Sequence, residues 1–186
     1  MASLGHLAVG AAIGAAYSRQ TGTNPLASAI VFAGLALAPD LDLVSSLLGV
    51  DSSSPLAHRG LTHSVTFALL TGVLAGGLLP GSTLRRCLTG GFVFAALMSH
   101  GLLDTMSFRG GGPMLLWPLS NAAYELAWRP IPGVQSSSQY LTLEAVPTFV
   151  VETLLFLPFT AYAIAVVFPR LNRAKPEPYE AASSDA

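Results

Sequence analysis

The sequence predicts an all-α fold: a polytopic membrane helix bundle of about four to five apolar helices, with a polar and aromatic loop after the fourth. Three observations carry this. The chain of 186 residues is 52% hydrophobic and only 10% charged, whereas soluble domains carry about a quarter charged residues. Its mean hydropathy is +0.57. The apolar residues also come in long runs, broken by proline, glycine and arginine.

The length suits one domain. A net charge of -1 excludes a basic surface for nucleic acid and a polyacidic tail. The single cysteine, Cys87, excludes an internal disulfide and a cysteine-based zinc cage.

The first helix covers residues 3 to 18, with Ser3 as its N-cap. Gly10, Ala11, Gly14 and Ala15 let a neighbouring helix come close. No basic residue precedes this run and Arg19 follows it, so it reads as a retained helix and not as a secretory signal. After a turn at residues 19 to 25, a second apolar run covers 26 to 38 and is ended or kinked at Pro39. Both runs are shorter than the roughly 20 residues of a spanning helix. Two readings follow: a hairpin that dips partway in, or a second helix that continues over residues 41 to 50 and leaves Asp40 and Asp42 at depth.

Residues 51 to 57 form a polar loop, and a third helix runs from 62 to 79, stopping at Pro80 and Gly81. Arg85 and Arg86 are placed in the following turn, ahead of a fourth helix over residues 88 to 106. The glycine-rich loop at 109 to 113 reads as a mobile gate. Residues 113 to 142 mix aromatics, prolines and serines and read as a segment lying on or capping the bundle. A fifth helix over 143 to 168 is long enough to span with tilt. Residues 1 to 169 then make the membrane domain, and 170 to 186 a polar, disordered tail.

If the helices alternate, Arg19, Arg85, Arg86, Arg170, Arg173 and Lys175 share one side, which the positive-inside rule makes cytoplasmic. All four histidines and three aspartates then fall toward the opposite face of the plasma (inner) membrane.

These seven residues carry the chemistry. His100 and Asp104 lie four apart and share one helix face. Imidazole and carboxylate are common ligands of zinc, manganese and iron. An aspartate inside an apolar helix costs at least about 2.5 kcal/mol, so such groups are usually functional. Asp40 and Asp42 at a helix end repel one another and oppose the macrodipole, which asks for a metal or an arginine as partner. His58 and His63 lie five apart and converge if the first is in the loop and the second in the first helical turn. Thr62 is the candidate N-cap, with amides that could face an anion. Arg59 suits a phosphate or carboxylate of substrate, or a salt bridge to Asp40 or Asp42. His6 joins this set. Four imidazoles and three carboxylates exceed one tetrahedral site and suit two metal ions around a water. Asp42 or Asp104 doubles as general base. Glu144 and Glu152 either line the cavity or meet water near the outer end of the fifth helix. Trp117 and Trp128 suit an interface belt.

Gly5-His6, Pro39-Asp40-Leu41-Asp42, His58-Arg59-Gly60-Leu61-Thr62-His63-Ser64, Ser99-His100 with Asp104, and Leu115-Leu116-Trp117-Pro118 follow in that order. In this the sequence resembles the YdjM-like membrane-bound metal-dependent hydrolases, over residues 5 to about 131. The resemblance implies a metal site of His6, Asp40, Asp42, His58, His63, His100 and Asp104. That family is itself distantly similar to zinc-dependent phospholipases C and P1-type nucleases, which implies a lean toward phosphoesters. Leu43 stands where the family pattern often has a histidine, and Ser107 where threonine is common.

The expected function is hydrolysis of a phosphoester or lipid-like substrate by water activated on one or two zinc or manganese ions, with the bilayer as the other partner. The alternative is a metal-binding membrane protein without catalysis, a transporter or a sensor, with its ligands on broken helices. A third reading has a polar cluster that only orients helices.

Overall fold

The computed structural model describes residues 4–108, 111–133 and 142–173. The helices are α1 (Leu4–Thr21), α2 (Pro25–Leu37), α3 (Val44–Leu47), α4 (Val65–Leu78), α5 (Thr83–Asp104) and α6 (Val146–Arg173). No strand occurs among the described residues, and Ser107 and Ile131 form an isolated bridge. Three stretches are long and apolar enough to cross a membrane: Pro25–Leu47, Thr83–Asp104 and Leu143–Pro169. The shorter apolar helix α4 lies beside them. Outward aliphatic side chains at Leu70, Val73, Leu74, Leu154, Leu157 and Ile164 stay exposed, which suits contact with lipid tails and not water.

α1 and α2 pack backbone to backbone. A Cβ on Gly14 would stand 2.2 Å from the Ser28 carbonyl oxygen, and one on Gly10 2.6 Å from that of Phe32. The small-residue stripe expected from the sequence has this function. Asn24 caps α2 by accepting from the Ala27 amide at 3.0 Å, and Pro25 follows at the first helical position, where a missing amide costs nothing. α2 ends at Leu37, just before Pro39. The backbone tightens into a 3-10 turn over Ala38–Leu43 and regains one α-helical turn as α3, so the apolar stretch is kinked there and runs on to Leu47.

Two sequence expectations are corrected at the next hairpin. Thr62 is not the N-cap. Residues Leu61–His63 form a 3-10 turn and Ser64 caps α4, accepting from the Phe67 amide at 3.1 Å. The Thr62 hydroxyl is committed to Asp42 instead. The fourth apolar helix, α5, begins at Thr83 and not at 88, capped by Ser82, so Arg85 and Arg86 sit in its first turn. Hydropathy hid this turn because it is polar. Arg86 donates to the carbonyls of Gly76 and Gly77 at 2.9 and 2.6 Å, satisfying the open end of α4.

Tyr17 and Thr89 hydroxyls lie 3.0 Å apart, so the end of α1 meets the start of α5. α6 runs parallel to α1: Gly5 meets Glu152, Val9 clusters with Phe156, and Ala16 shares a groove with Tyr162. The start of α1, the 3-10 turn after α2, the start of α4 and the end of α5 therefore gather at one end of the bundle. Arg19, Arg85, Arg86 and the C-terminus of α6 gather at the other. This is the grouping that helix alternation predicts.

Residues 111–133 cap the first of these ends. Met114 donates to the Arg59 carbonyl at 2.8 Å, Val65 to Leu115 at 2.9 Å and Leu126 to Thr105 at 3.0 Å. Pro113 and Ile131 are fully buried, and a Cβ on Gly112 would stand 2.0 Å from the Tyr124 carbonyl oxygen. In the described part of the expected gate, Gly112 and Pro113 are packed and Gly111 is exposed. Arg109 and Gly110, the Ser3 cap and the tail beyond Arg173 lie outside the described residues.

Candidate metal centre

Four pieces of backbone build the site, and each has a local reason to be there. Pro39 forces the turn that swings Asp40 and Asp42 off the regular face of α2. Gly60 lets the loop fold back on itself, since a Cβ there would stand 2.1 Å from the Pro55 carbonyl oxygen. Gly101 lets the His63 turn lie against α5, where a Cβ would stand 2.6 Å from the His63 carbonyl oxygen. The first turn of α1 brings in His6.

Asp42 organises one side. Its Oδ1 meets His58 Nδ1 at 2.6 Å, and its Oδ2 accepts from the Arg59 amide at 3.2 Å and from the Thr62 hydroxyl. His63 Nδ1 is 3.2 Å from the same Oδ2 and 3.0 Å from the Thr62 hydroxyl. One carboxylate thus orients two histidines, the carboxylate–imidazole pairing that aims metal ligands.

The other side is deeper. His100 Nδ1–H donates to the Ala36 carbonyl at 2.6 Å, which leaves Nε2 as the acceptor nitrogen. That Nε2 lies 3.0 Å from His63 Nε2. Asp40 Oδ1 is 3.2 Å from His100 Nε2 and 3.7 Å from His63 Nε2. Asp104 Oδ2 is 3.6 Å from His63 Nε2 and 3.8 Å from His100 Nε2. Arg59 Nε approaches Asp104 Oδ2 at 3.4 Å, and the guanidinium also donates to the Gly111 carbonyl. His6, His63, His100 and Asp104 are all essentially buried.

His6 stacks on His100 with ring centroids 3.9 Å apart and planes 14° apart. Its Nε2 faces Asp104 Oδ1 at 3.4 Å, and neither ring nitrogen makes a hydrogen bond. Burial alone would push the His63 imidazole down, but the surrounding Asp40, Asp42 and Asp104 carboxylates outweigh it and raise its pKa above 6.5. The three carboxylates around His63 thus favour positive charge at this place.

The donor set fits a divalent ion. Asp40, His63, His100 and Asp104 each offer one ligand atom, all within 4.8 Å of one another, and Asp40, Asp42, His58 and His63 form a second such group. The groups share Asp40 and His63. His6 belongs to neither group but adjoins the first through Asp104 and His100. All seven residues expected from the sequence therefore meet at one end of the bundle. The Ala36 carbonyl and Gly101 were missed; a backbone acceptor has no sequence signal, though a glycine directly after a helical histidine is one. Glu152 is fully buried and Glu144 exposed.

The chain matches the YdjM inner membrane protein family over residues 1–170. It is 35% identical over 115 residues to the inner membrane protein YbcI of Escherichia coli (strain K12), a stretch covering 59% of this chain and 65% of that relative. No solved structure matches. The chain belongs to the YdjM family, and with its apolar helices it is a membrane protein.

Proposed function

We propose that this member of the YdjM family is a membrane-bound metal-dependent hydrolase acting on a phosphoester or lipid-like substrate. The observation that supports it is the approach of His63 Nε2 and His100 Nε2 to 3.0 Å with two aspartates beside them. Two buried imidazole nitrogens at that distance share either a proton or a metal ion, and the carboxylates beside them favour positive charge there.

Asp40, His63, His100 and Asp104 would hold one zinc or manganese ion, and Asp40, Asp42, His58 and His63 a second, with His6 completing the deeper site. A metal held there supplies Lewis acidity to the scissile ester oxygen and lowers the pKa of water. The other work falls to the chain. Asp42 spends both oxygens on protein donors and so orients His58, Thr62 and His63. Asp104 reaches His6 and Arg59 at the looser distance of 3.4 Å, and it accepts a proton from water. The Arg59 guanidinium, charged at every working pH, pairs with a phosphate oxygen and so carries substrate binding, while the Thr62 hydroxyl stays on Asp42. The capping segment over the site limits bulk water, which strengthens these charge interactions. The site faces the extracytoplasmic side, since the arginine-rich end is the cytoplasmic one.

One observation favours the non-enzymatic reading. The stretch Pro25–Leu47 is broken by a 3-10 turn at the two aspartates, as in transporters that carry ions on interrupted helices. Turnover decides. Purified protein in detergent, given bis(p-nitrophenyl) phosphate or a short-chain phospholipid, should hydrolyse one of them with zinc or manganese added and stop with chelator or with Asp104→Asn. Metal bound without turnover of either substrate would favour transport or sensing.

A further inference from the structure

We infer that Glu152 is a positioning residue for this centre, setting the place of His6 through the amide of Gly5. The inference rests on the metal reading above. Glu152 lies in the 28-residue helix α6 and is fully buried. A carboxylate in an apolar membrane helix is costly and calls for a specific partner. One partner is backbone: Glu152 Oε2 accepts from the Gly5 amide at 3.1 Å.

Gly5 belongs to the first turn of α1, whose amides have no acceptor within the helix. A carboxylate there satisfies the amide and complements the positive end of the helix dipole. The next residue is His6, the sole contribution of α1 to the cluster of histidines and aspartates. Its stacking on His100 and its 3.4 Å approach to Asp104 depend on where this first turn sits. Thr148, one turn earlier on α6 and equally buried, donates to the Gly133 carbonyl at 3.3 Å. It ties the same face of α6 to the segment that caps the site. Glu152 thus reaches the centre by way of backbone and not by touching metal or substrate.

The test is zinc or manganese titration of the purified full chain. Loss of an outer partner of a metal ligand typically weakens binding by about 10–100-fold, and Glu152→Ala should fall in that range. Glu152→Gln keeps an acceptor oxygen and should stay within a few-fold of wild type. In a His6→Ala background, adding Glu152→Ala should cost nothing further, because the residue it positions is gone. Should Glu152→Ala not fold, Glu152→Asp carries the test: one methylene shorter, it loses its reach to Gly5 and should weaken binding where Glu152→Gln does not. Wild-type affinity in both shortened variants overturns the inference and leaves the metal reading intact. So do losses from His6→Ala and Glu152→Ala that multiply. A wild type that takes up no metal overturns the metal reading, and the inference with it.

Discussion

Gly101 and His63 meet so closely that a side chain on the first would run into the backbone of the second, 2.6 Å from its carbonyl oxygen. This contact places the His63 ring against His100 on the neighbouring position of α5. Gly101→Ala must push the turn carrying His63 outward, because backbone has nowhere to rotate. Overpacking of this kind costs about 1–3 kcal/mol. The metal should suffer more, with affinity down at least about tenfold. Calorimetric titration beside a thermal melt separates the two effects.

Arg59 has φ of 70°, a left-handed backbone at a residue with a side chain. Such a conformation costs of order 1–2 kcal/mol outside glycine. Arg59→Gly removes that strain while losing the ion pair to Asp104, so melting should change by no more than about 1 kcal/mol. Turnover should fall by about 100-fold or more, because the charge proposed to meet the phosphate is gone. Arg59→Ala should lose both stability and activity. Equal turnover in wild type and Arg59→Gly would remove Arg59 from catalysis.

Acid should weaken metal binding through His63. Its pKa is raised above 6.5 by the carboxylates around it, so below that raised pKa the metal-free protein holds a proton that metal must displace. Apparent affinity should therefore climb as pH rises through the raised pKa and level off above it. The stability that the proton gives the metal-free fold has the opposite sign, present in full below the unfolded value of about 6.5 and lost as pH rises through the folded one. Titrations across this range check the first, and melts of chelated protein the second. Affinity that is flat with pH would contradict His63 as a ligand.

The α1–α2 crossing should tolerate no bulk. Gly14→Val places a branched side chain against the Ser28 backbone, which a Cβ alone would approach to 2.2 Å. A loss of at least about 1–3 kcal/mol is expected, read as a lower melting temperature in detergent. The same change at Gly34, whose Cβ would meet nothing within 4 Å, should be nearly silent.

Much of this architecture was legible in the sequence because the solvent is lipid. Few charges survive in such helices without a task, so His6, Asp40, Asp42, His58, His63, His100 and Asp104 stood out against leucine and alanine. Their common end followed from helix alternation. Boundaries were less legible. Hydropathy sees only the part of a helix that touches lipid, so the polar first turn of α5 at Thr83 was read as loop. The N-cap was misplaced from Ser64 to Thr62 because either hydroxyl suits a cap, and only the fold shows that Asp42 claims the second. Whether the chain ran on past Pro39 was open for a related reason: the α-helix ends at Leu37, and only the fold shows a 3-10 turn carrying the apolar stretch on to α3.

Metal analysis of the purified wild type beside His63→Ala and Asp104→Ala tests the central claim most directly. The wild type should carry about one or two equivalents of zinc or manganese per chain, and both variants should carry clearly less. His63→Ala should lose the most, since His63 belongs to both ligand groups. Equal metal in all three proteins, or none in the wild type, would contradict the account.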